Sequence, residues 1–496
     1  MTVKLTQYRR LPETRQFDKL GNWIIILAEG AADSAWTALP HGAALRALRD
    51  RQPAAASGER PPVFVDLDNA ATSRVGLATV KPDAESFDLL TLARKLVAGH
   101  KDFQPEVMGV CVAGFRERVA ERVAEALLAA LLAAAAEMPD YRSKKVERRR
   151  LQQIHLYGSA PAHRFRRSFA EADGNALARY LATLPPNELT PAMYRARLET
   201  LAGEHGLEME FLDVETLRQK GAGAFLAVCQ GSPEPDAGIA RLRYVPKRKT
   251  RQAAVALVGK GICFDTGGVN VKPGNFMLGM QGDMQGSAVA LGTLIALATL
   301  KVDFPVDAWL ALAMNHVGPN AYKPTDVVKA ANGTTIEVIH TDAEGRMILS
   351  DTLALCSRTG PGMIIDYATL TGSCVRALGK AYSGAFTNRR AFWPTLIEAG
   401  RASGERIWPF PIDKDYDQAL ESGIADVRQC AEEAPADHIL AARFLSRFVG
   451  ESIPWVHLDL SAASNKDGLA HVPTHFNGFG VRLTLQLLLD QGLARA

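Results

Sequence analysis

The chain has few of the residue patterns that would mark a specialised fold. Its 496 residues include only six cysteines, which lie far apart and form no C-x-x-C pair. Neither a disulfide framework nor a zinc knuckle is therefore indicated, and reduced thiols in a cytoplasm are the simpler interpretation. Lysine and arginine exceed aspartate and glutamate by only 57 to 54, and a net charge of +3 does not predict nucleic acid as a partner.

Long apolar segments are also missing from the sequence. The longest apolar run, Ala126 to Ala136, is mostly alanine and shorter than the roughly 20 residues that a membrane span needs. Residues 1–23 have no apolar stretch between their charges, which a secretory signal would require. We therefore expect a cytoplasmic protein without a membrane partner.

Composition and periodicity predict an α/β protein. Hydrophobic residues make up 47% of the chain and charged residues 22%, which is typical of soluble globular proteins. The first part alternates helical stretches, of which Val119 to Met138 is the clearest, with strand-like apolar runs. These runs are Trp23 to Ala28, Val63 to Leu67 and Val107 to Val112.

A change in composition predicts the domain organisation. Residues 141–167 are basic and poor in core residues, which suits a connector between domains. We predict a smaller N-terminal α/β domain over residues 1–162, with the connector at its end. Residues 163–496 then form a larger catalytic α/β domain.

Four apolar runs dominate the predicted catalytic domain: Ala253 to Val258, Val306 to Met314, Thr335 to Ile339 and Met363 to Tyr367. They are typical of buried strands, and we predict that they form one largely parallel central sheet flanked by helices. Each run is followed by a loop dense in glycine and polar residues. Because ligands of open α/β sheets bind outside the carboxyl ends of the strands, we expect the functional site in these loops.

The loops carry charge rather than a common nucleotide or hydrolase motif. The sequence has no G-x-x-x-x-G-K-[ST], G-x-G-x-x-G, G-x-S-x-G or H-E-x-x-H. The charged residues at the strand ends are Lys260, Asp265, Lys272, Asp283, Asp342, Glu344 and Arg346. If the four carboxylates converge, they need compensating cations to stay ionised.

Divalent metals are the natural compensation for such a cluster. Oxygen ligands without cysteine suit Mn²⁺, Mg²⁺ or Zn²⁺, and paired ions about 3.5 to 4 Å apart serve hydrolysis. Taken alone, Asp342 and Glu344 are more typical of an N-cap and a solvent-facing acid. Lys260 alone is more typical of a salt bridge, for example to Asp265. A dinuclear phosphoesterase would have the same metal requirement.

Three segments with consistent spacing resemble the leucine aminopeptidase (cytosol aminopeptidase) family. They are VGKGICFDTGGVNVKP (Val258 to Pro273), GDMQG (Gly282 to Gly286) and TDAEGR (Thr341 to Arg346). The resemblance continues through LPPNELTP, ATLTGS and WVHLDL. It runs from about residue 181 to the end of the sequence and covers the first 160 residues only weakly.

The resemblance implies a dinuclear metallo-exopeptidase, a hydrolase that releases leucine or a similar N-terminal residue from peptides by attack of a water bridging two ions. Two Mn²⁺ or Zn²⁺ ions per subunit would be implied, with a homohexameric assembly. The implied metal ligands are Lys260, Asp265, Asp283, Asp342 and Glu344. Lys272 is implied to stabilise the developing charge, and Arg346 to hold a bicarbonate as the catalytic anion.

The resemblance also implies residues that bind the substrate. Met280 matches the floor of the pocket for the first side chain, and Thr369, Leu370 and Gly372 match the loop that holds the substrate backbone. Ser461 and Ser464 stand where the family commonly has small or apolar residues, so the preferred first residue is open. Because some bacterial members also bind DNA, a DNA-binding architectural or regulatory protein on this scaffold is the alternative function.

Overall fold

The computed structural model describes residues 3–53, 60–144, 149–158, 165–248, 250–433 and 435–495. The chain divides into two compact units, one of residues 1–172 with 468–473 and one of residues 173–467 with 474–496. The boundary that we predicted between residues 162 and 163 falls in 159–164, outside the described residues.

The first unit is built on a six-stranded sheet. Its strands are β1 (Lys4–Tyr8), β2 (Asn22–Ala28), β3 (Val63–Asp66), β4 (Arg74–Val80), β5 (Val107–Ala113) and β6 (Gln153–Tyr157). Their order is β1-β6-β5-β2-β4-β3, and all neighbours are parallel except the antiparallel pair of β3 and β4. The three predicted strands are present as β2, β3 and β5. Strand β6 lies inside the segment that we predicted to be a connector.

Helices cover this sheet. They are α1 (Thr14–Phe17), α2 (Asp33–Thr37), α3 (Gly42–Arg51), α4 (Ser86–Ala98) and α5 (Glu117–Ala135), and α6 (Arg166–Thr183) follows them along the chain. Helix α5 confirms the clearest helix predicted from the sequence. Its leucines and alanines pack with α4 in one apolar core, which explains why so alanine-rich a helix is buried.

The second unit contains an eight-stranded sheet and a three-stranded sheet. Its strands are β7 (Glu208–Asp213), β8 (Gly238–Tyr244), β9 (Val255–Asp265), β10 (Val306–Asn315), β11 (Val327–Lys329), β12 (Thr335–Glu337), β13 (Met363–Ala368), β14 (Ser383–Thr387), β15 (Ile407–Pro409), β16 (Val427–Arg428) and β17 (Trp455–Asp459). The large sheet has the order β15-β14-β17-β13-β9-β10-β8-β7, and its four central strands, β17, β13, β9 and β10, are parallel.

Helices also flank the large sheet. They are α7 (Pro191–His205), α8 (Val214–Gln219), α9 (Gly223–Cys229), α10 (Gln285–Leu300), α11 (Glu344–Ser357), α12 (Gly372–Leu378), α13 (Trp393–Ser403), α14 (Asp437–Leu445) and α15 (Val481–Leu485). The observed architecture agrees with the α/β class and the largely parallel central sheet that we predicted.

One predicted strand lies in a different sheet. Thr335 to Ile339 was expected in the large sheet, but β12 pairs antiparallel with β11 and parallel with β16 in the small one. Both neighbouring positions of β9 are already taken by β10 and β13. Only Ile336 and Glu337 of the three β12 residues are buried, which fits a short strand at the margin of a core.

Helix α10 is the most apolar covering element. Within the described ranges, one segment, Met280–Leu300, has the length and hydropathy of a membrane span, and 83% of its most apolar window is buried inside the fold. The helix packs on β9, β10 and β13. Its apolar character on all sides is therefore that of a central core helix.

His100 makes the stability of the first unit depend on pH. Its side chain is buried, with Nδ1 3.0 Å from Asn22 Oδ1, and burial, followed by the charge of Arg74, lowers the pKa of His100 from 6.5 to about 4. The unfolded histidine binds a proton below pH 6.5, whereas the folded one does so only near pH 4. Its stabilisation is therefore present above pH 6.5 and is lost as the pH falls towards 4.

We expect the free energy of unfolding of this unit to fall by up to about 3 kcal/mol between pH 7 and pH 4 because of His100. Urea unfolding of wild type and His100→Gln across this range measures the contribution, which the variant should lack. His205→Gln, a change at an exposed histidine, should retain the wild-type slope. Equal slopes for wild type and His100→Gln would contradict the assignment.

Candidate metal centre

The charged residues meet at the carboxyl edge of the four parallel strands. Strand β9 contributes Lys260 from its middle and Asp265 as its last residue. Asp283 lies in the short 3₁₀ helix Met280–Met284, and Glu344 is the first residue of α11. Asp342 lies just before α11. The structure thus brings together residues that are up to 84 positions apart in the sequence.

Lys260 joins two of the carboxylates. Its Nζ lies 2.9 Å from Asp283 Oδ2 and 2.8 Å from Glu344 Oε1, and it donates to the carbonyl oxygen of Thr369 at 2.9 Å. The side chain is only 3% exposed. The salt bridge from Lys260 to Asp265, which the sequence offered as an alternative, is not formed. Lys260 pairs with Asp283 and Glu344 instead.

Lys272 joins the other two carboxylates. Its Nζ lies 2.8 Å from Asp265 Oδ2 and 2.6 Å from Asp342 Oδ1. Asp265 is buried, whereas the Asp342 side chain is 26% exposed. The two lysines therefore divide the four carboxylates into two pairs.

The electrostatics of the cluster favour further positive charge. Burial and the neighbouring carboxylates of Glu344 and Asp283 raise the pKa of Asp265 well above its usual value. Burial also raises the pKa of Asp283, although Lys260 opposes this shift. For Lys260, burial alone would lower the pKa, but the two paired carboxylates outweigh it and raise the pKa. The carboxylates are thus not fully compensated by the lysines alone.

The donor set fits divalent metal ions. Among the described residues, Asp265, Asp342 and Glu344 form a group whose ligand oxygens lie within 4.8 Å of one another. Glu344 Oε2 is buried and has no hydrogen-bond partner in the part of the chain that the structure describes. A buried carboxylate oxygen without a donor is costly unless a cation binds it. Oxygen ligands of this kind suit Mn²⁺, Mg²⁺ or Zn²⁺.

Buried polar residues that the sequence did not identify orient Asp265. Asn315, at the end of β10, donates from Nδ2 to Asp265 Oδ1 at 2.8 Å and to the carbonyl oxygen of Thr341 at 3.0 Å. The backbone N–H of Gly267 donates to the same Asp265 oxygen at 2.8 Å. Gly267 has φ of +89°, a conformation that favours glycine. Asn315 directly follows a predicted strand. A position directly after a predicted strand is also the signal that identified the other site residues.

The loop after β13 is anchored between the carboxylate cluster and strand β17. Thr369 Oγ1 donates to Asp283 Oδ1 at 2.7 Å. Asp459, the last residue of β17, accepts the backbone N–H of Leu370 at 3.2 Å and the hydroxyl of Thr371 at 2.7 Å. Gly372 then begins α12 and is exposed. This loop is therefore held rigidly beside Lys260 and Asp283.

The predicted pocket residues lie on nearby segments. Met280 shares its 3₁₀ helix with Gly282, and a Cβ built on Gly282 would lie 2.5 Å from the Phe476 ring. Phe476 in turn forms an isolated backbone bridge with Ser464. Ser461 is buried, and its hydroxyl donates to the carbonyl oxygen of Tyr382 at 2.7 Å.

Arg346 has a protein carboxylate as its partner. Its Nη2 donates to both oxygens of Asp437, at 2.9 Å and 2.8 Å, and its Nη1 donates to the carbonyl oxygen of Gln429 at 3.3 Å. The guanidinium is buried, and Asp437 raises its pKa against the effect of burial. Asp437 thus places a negative charge on the guanidinium that was expected to hold bicarbonate, while the Nε of Arg346 has no hydrogen-bond partner among the described residues.

Comparison with known proteins identifies the family of this centre. The sequence profile described as "Cytosol aminopeptidase family, catalytic domain" matches residues 176–485, which include every predicted site residue. The chain belongs to this family. A probable cytosol aminopeptidase of Roseiflexus castenholzii is 40% identical over 365 residues, which cover 71% of this chain and 73% of that protein. Across such curated relatives, the match spans between 59% and 73% of the relative's own length.

Two solved structures resemble this fold over nearly its full length. A variant of tomato leucine aminopeptidase is 25% identical, with a TM-score of 0.85 over 99% of this chain and 97% of that chain. The bottromycin maturation enzyme BotP, in complex with Mn, is 29% identical, with a TM-score of 0.81 over 96% of this chain and 100% of that chain. The chain is therefore similar in sequence to probable cytosol aminopeptidases and similar in fold to these two solved structures.

Gly345 controls the space available to Lys260. A Cβ on Gly345 would lie 2.8 Å from the Cδ, Cε and Nζ atoms of Lys260. Lys260 cannot move aside without losing its contacts to Asp283, Glu344 or Thr369. We therefore expect Gly345→Ala to weaken binding of Mn²⁺ by about tenfold or more, as measured by isothermal titration calorimetry.

Gly203→Ala is the matched control for this substitution. Gly203 lies in helix α7, and a Cβ placed on it would meet no atom within 4 Å. The Mn²⁺ affinity of this variant should equal that of wild type. If both alanine variants bind Mn²⁺ as tightly as wild type, the position of Lys260 does not govern metal binding.

Proposed function

We propose that this protein is a metal-dependent aminopeptidase that releases N-terminal amino acids, leucine or similar, from peptides. The observation that carries the proposal is the convergence of Asp265, Asp342 and Glu344 within 4.8 Å at the carboxyl edge of the sheet. Membership of the cytosol aminopeptidase family supports the same chemistry. No comparison supports the DNA-binding alternative.

Two divalent ions, Mn²⁺ or Zn²⁺, would be held by the five proposed ligands. These are Lys260, Asp265, Asp283, Asp342 and Glu344. When bound, such a pair of ions supplies Lewis-acid polarisation of a carbonyl and lowers the pKa of water. The complex of the structural neighbour BotP with Mn supports manganese as a candidate.

Lys272 is proposed to stabilise the charge that develops on the scissile carbonyl oxygen. An ammonium group has three N–H donors, and the described contacts use two of them on Asp265 and Asp342. The remaining donor is available to the substrate. A preorganised cation of this kind typically contributes about 10² to 10³ in turnover.

The substrate is proposed to lie along the loop that joins β13 to α12. Thr369, Leu370 and Gly372 would orient the peptide backbone, because contacts with Asp283 and Asp459 fix this loop. The first side chain would enter a pocket bordered by residues that were predicted from the resemblance. These are Met280, Ser461 and Ser464.

The names of the relatives support a cytoplasmic setting. The relatives carry the name cytosol aminopeptidase, and we propose a cytoplasmic enzyme that assembles as a homohexamer. Peptides are its proposed substrates. Arg346, which was expected to hold bicarbonate, contacts the carboxylate of Asp437 at 2.8 Å.

Hydrolysis of aminoacyl p-nitroanilides by chelator-stripped protein tests this function. We expect activity on substrates with an apolar first residue only after Mn²⁺ or Zn²⁺ is added back. Asp342→Ala should abolish most of this activity because it removes a carboxylate from the cluster. The panel of first residues also measures the specificity of the proposed pocket.

Two controls make this result specific. Asp83→Ala changes an exposed aspartate of the first unit and should keep wild-type activity. A chromogenic phosphate ester should remain intact, which separates the proposal from a dinuclear phosphoesterase. Metal-independent hydrolysis, or full activity in Asp342→Ala, would contradict the proposed function.

A further inference from the structure

Arg346 is a buried cation placed beside the carboxylate cluster. It lies in α11, two positions after Glu344, and is only 2% exposed. A guanidinium removed from water requires a negative partner and acceptors for its N–H groups. In this protein the negative partner is Asp437, which lies 91 positions away in the sequence.

The carboxylate of Asp437 resembles a bicarbonate ion in the part that an arginine recognises. Each presents two oxygens on one planar carbon, and Arg346 Nη2 lies within hydrogen-bond distance of both Asp437 oxygens. We propose that the Asp437 carboxylate takes the place of bicarbonate on Arg346, so that this enzyme carries the anion as a side chain and works without bicarbonate. This inference rests on the proposed aminopeptidase function.

The side chain of the neighbouring residue, His438, anchors the start of the helix that contains Asp437. Asp437 is the first residue of α14, where the helix dipole favours a negative charge. The next residue, His438, makes a 2.7 Å hydrogen bond between its Nδ1 and Ser373 Oγ, and its ring packs edge-on against Phe410 at 4.6 Å. Because Ser373 belongs to α12, the start of α14 is tied to the helix that follows the proposed substrate loop.

Tethering gives the side chain an advantage over a dissolved ion. A carboxylate held by the fold meets its partner at an effective concentration far above that of a free anion at millimolar levels. Asp437 also retains 25% exposure of its side chain, whereas Arg346 is buried. The carboxylate is therefore the more accessible member of the pair.

Charge opposes the binding of a second anion at this place. Arg346 and Asp437 together are neutral, and the nearest acidic neighbour along α11 is Glu344. The Arg346–Asp437 pair itself therefore offers no uncompensated positive charge to bicarbonate. The Nε of Arg346 has no hydrogen-bond partner among the described residues. Binding of an anion at this Nε is the alternative arrangement, and the experiment must distinguish it from replacement of the anion by Asp437.

The inference is tested by measuring aminopeptidase activity in CO₂-free buffer. The assay is run with and without added sodium bicarbonate at constant ionic strength. The assay compares metal-loaded wild type, Asp437→Ala and Asp437→Asn. Wild-type turnover should change by less than about twofold when bicarbonate is added. Asp437→Ala should lose about tenfold or more in turnover, which bicarbonate partly restores, because the vacated position accepts the ion.

Asp437→Asn is the shape-matched control. Its amide fills the same space without the charge, so turnover should fall and bicarbonate should not restore it. Asp437 acts through Arg346 and is a positioning residue. If Asp437 had a purely structural role, bicarbonate would not restore the lost turnover. Restoration of turnover by the added anion therefore distinguishes the positioning role from a structural one.

Binding of bicarbonate to the chelator-stripped proteins provides a readout besides activity. Calorimetry should detect bicarbonate binding to Asp437→Ala and none to wild type. Stimulation of wild type by bicarbonate would overturn the inference, and this test needs no variant to fold. Absence of both binding and rescue in a folded Asp437→Ala would overturn it as well. If wild type hydrolyses no aminoacyl substrate, the proposed function fails, while the binding comparison still decides which anion Arg346 holds.

Discussion

Compensation of buried carboxylates by cations is the constraint on which the whole site depends. Four acidic side chains meet at one edge of the sheet, and two lysines divide them into pairs at distances between 2.6 and 2.9 Å. In a medium of low dielectric constant, neither the acids nor the lysines would be stable there alone. The remaining unpartnered oxygen of Glu344 indicates that the cluster is built to accept further positive charge.

The parallel centre of the sheet makes this arrangement possible. Strands β10, β9, β13 and β17 all end at one edge, and each end contributes a polar group to the site. These groups are Asn315, Asp265, Thr369 and Asp459. Asn315 fixes Asp265, and Asp459 fixes the loop that contains Thr369. The order of the strands therefore sets the geometry of the centre, and the surrounding hydrogen bonds maintain it.

Much of the centre was predictable because its residues follow buried strands directly. The apolar runs of β9, β10 and β13 and the charges after them are local features of the sequence. The pairing of charges was less predictable. Lys260 and Asp265 are five positions apart on β9, but the carboxylates that Lys260 contacts are Asp283 and Glu344, which other segments of the chain supply. Asp437 was missed because nothing local connects it with Arg346.

The number of metal ions bound per chain tests the central claim most directly. Native mass spectrometry of chelator-stripped protein, titrated with Mn²⁺ or Zn²⁺, measures this number without reference to catalysis. Our account predicts two ions per chain for wild type and for the exposed-residue variant Asp83→Ala, and fewer for Asp283→Ala, because Asp283 belongs to the Lys260 pair. Binding of no ions by wild type, or equal numbers in wild type and Asp283→Ala, would contradict a dinuclear centre at these residues.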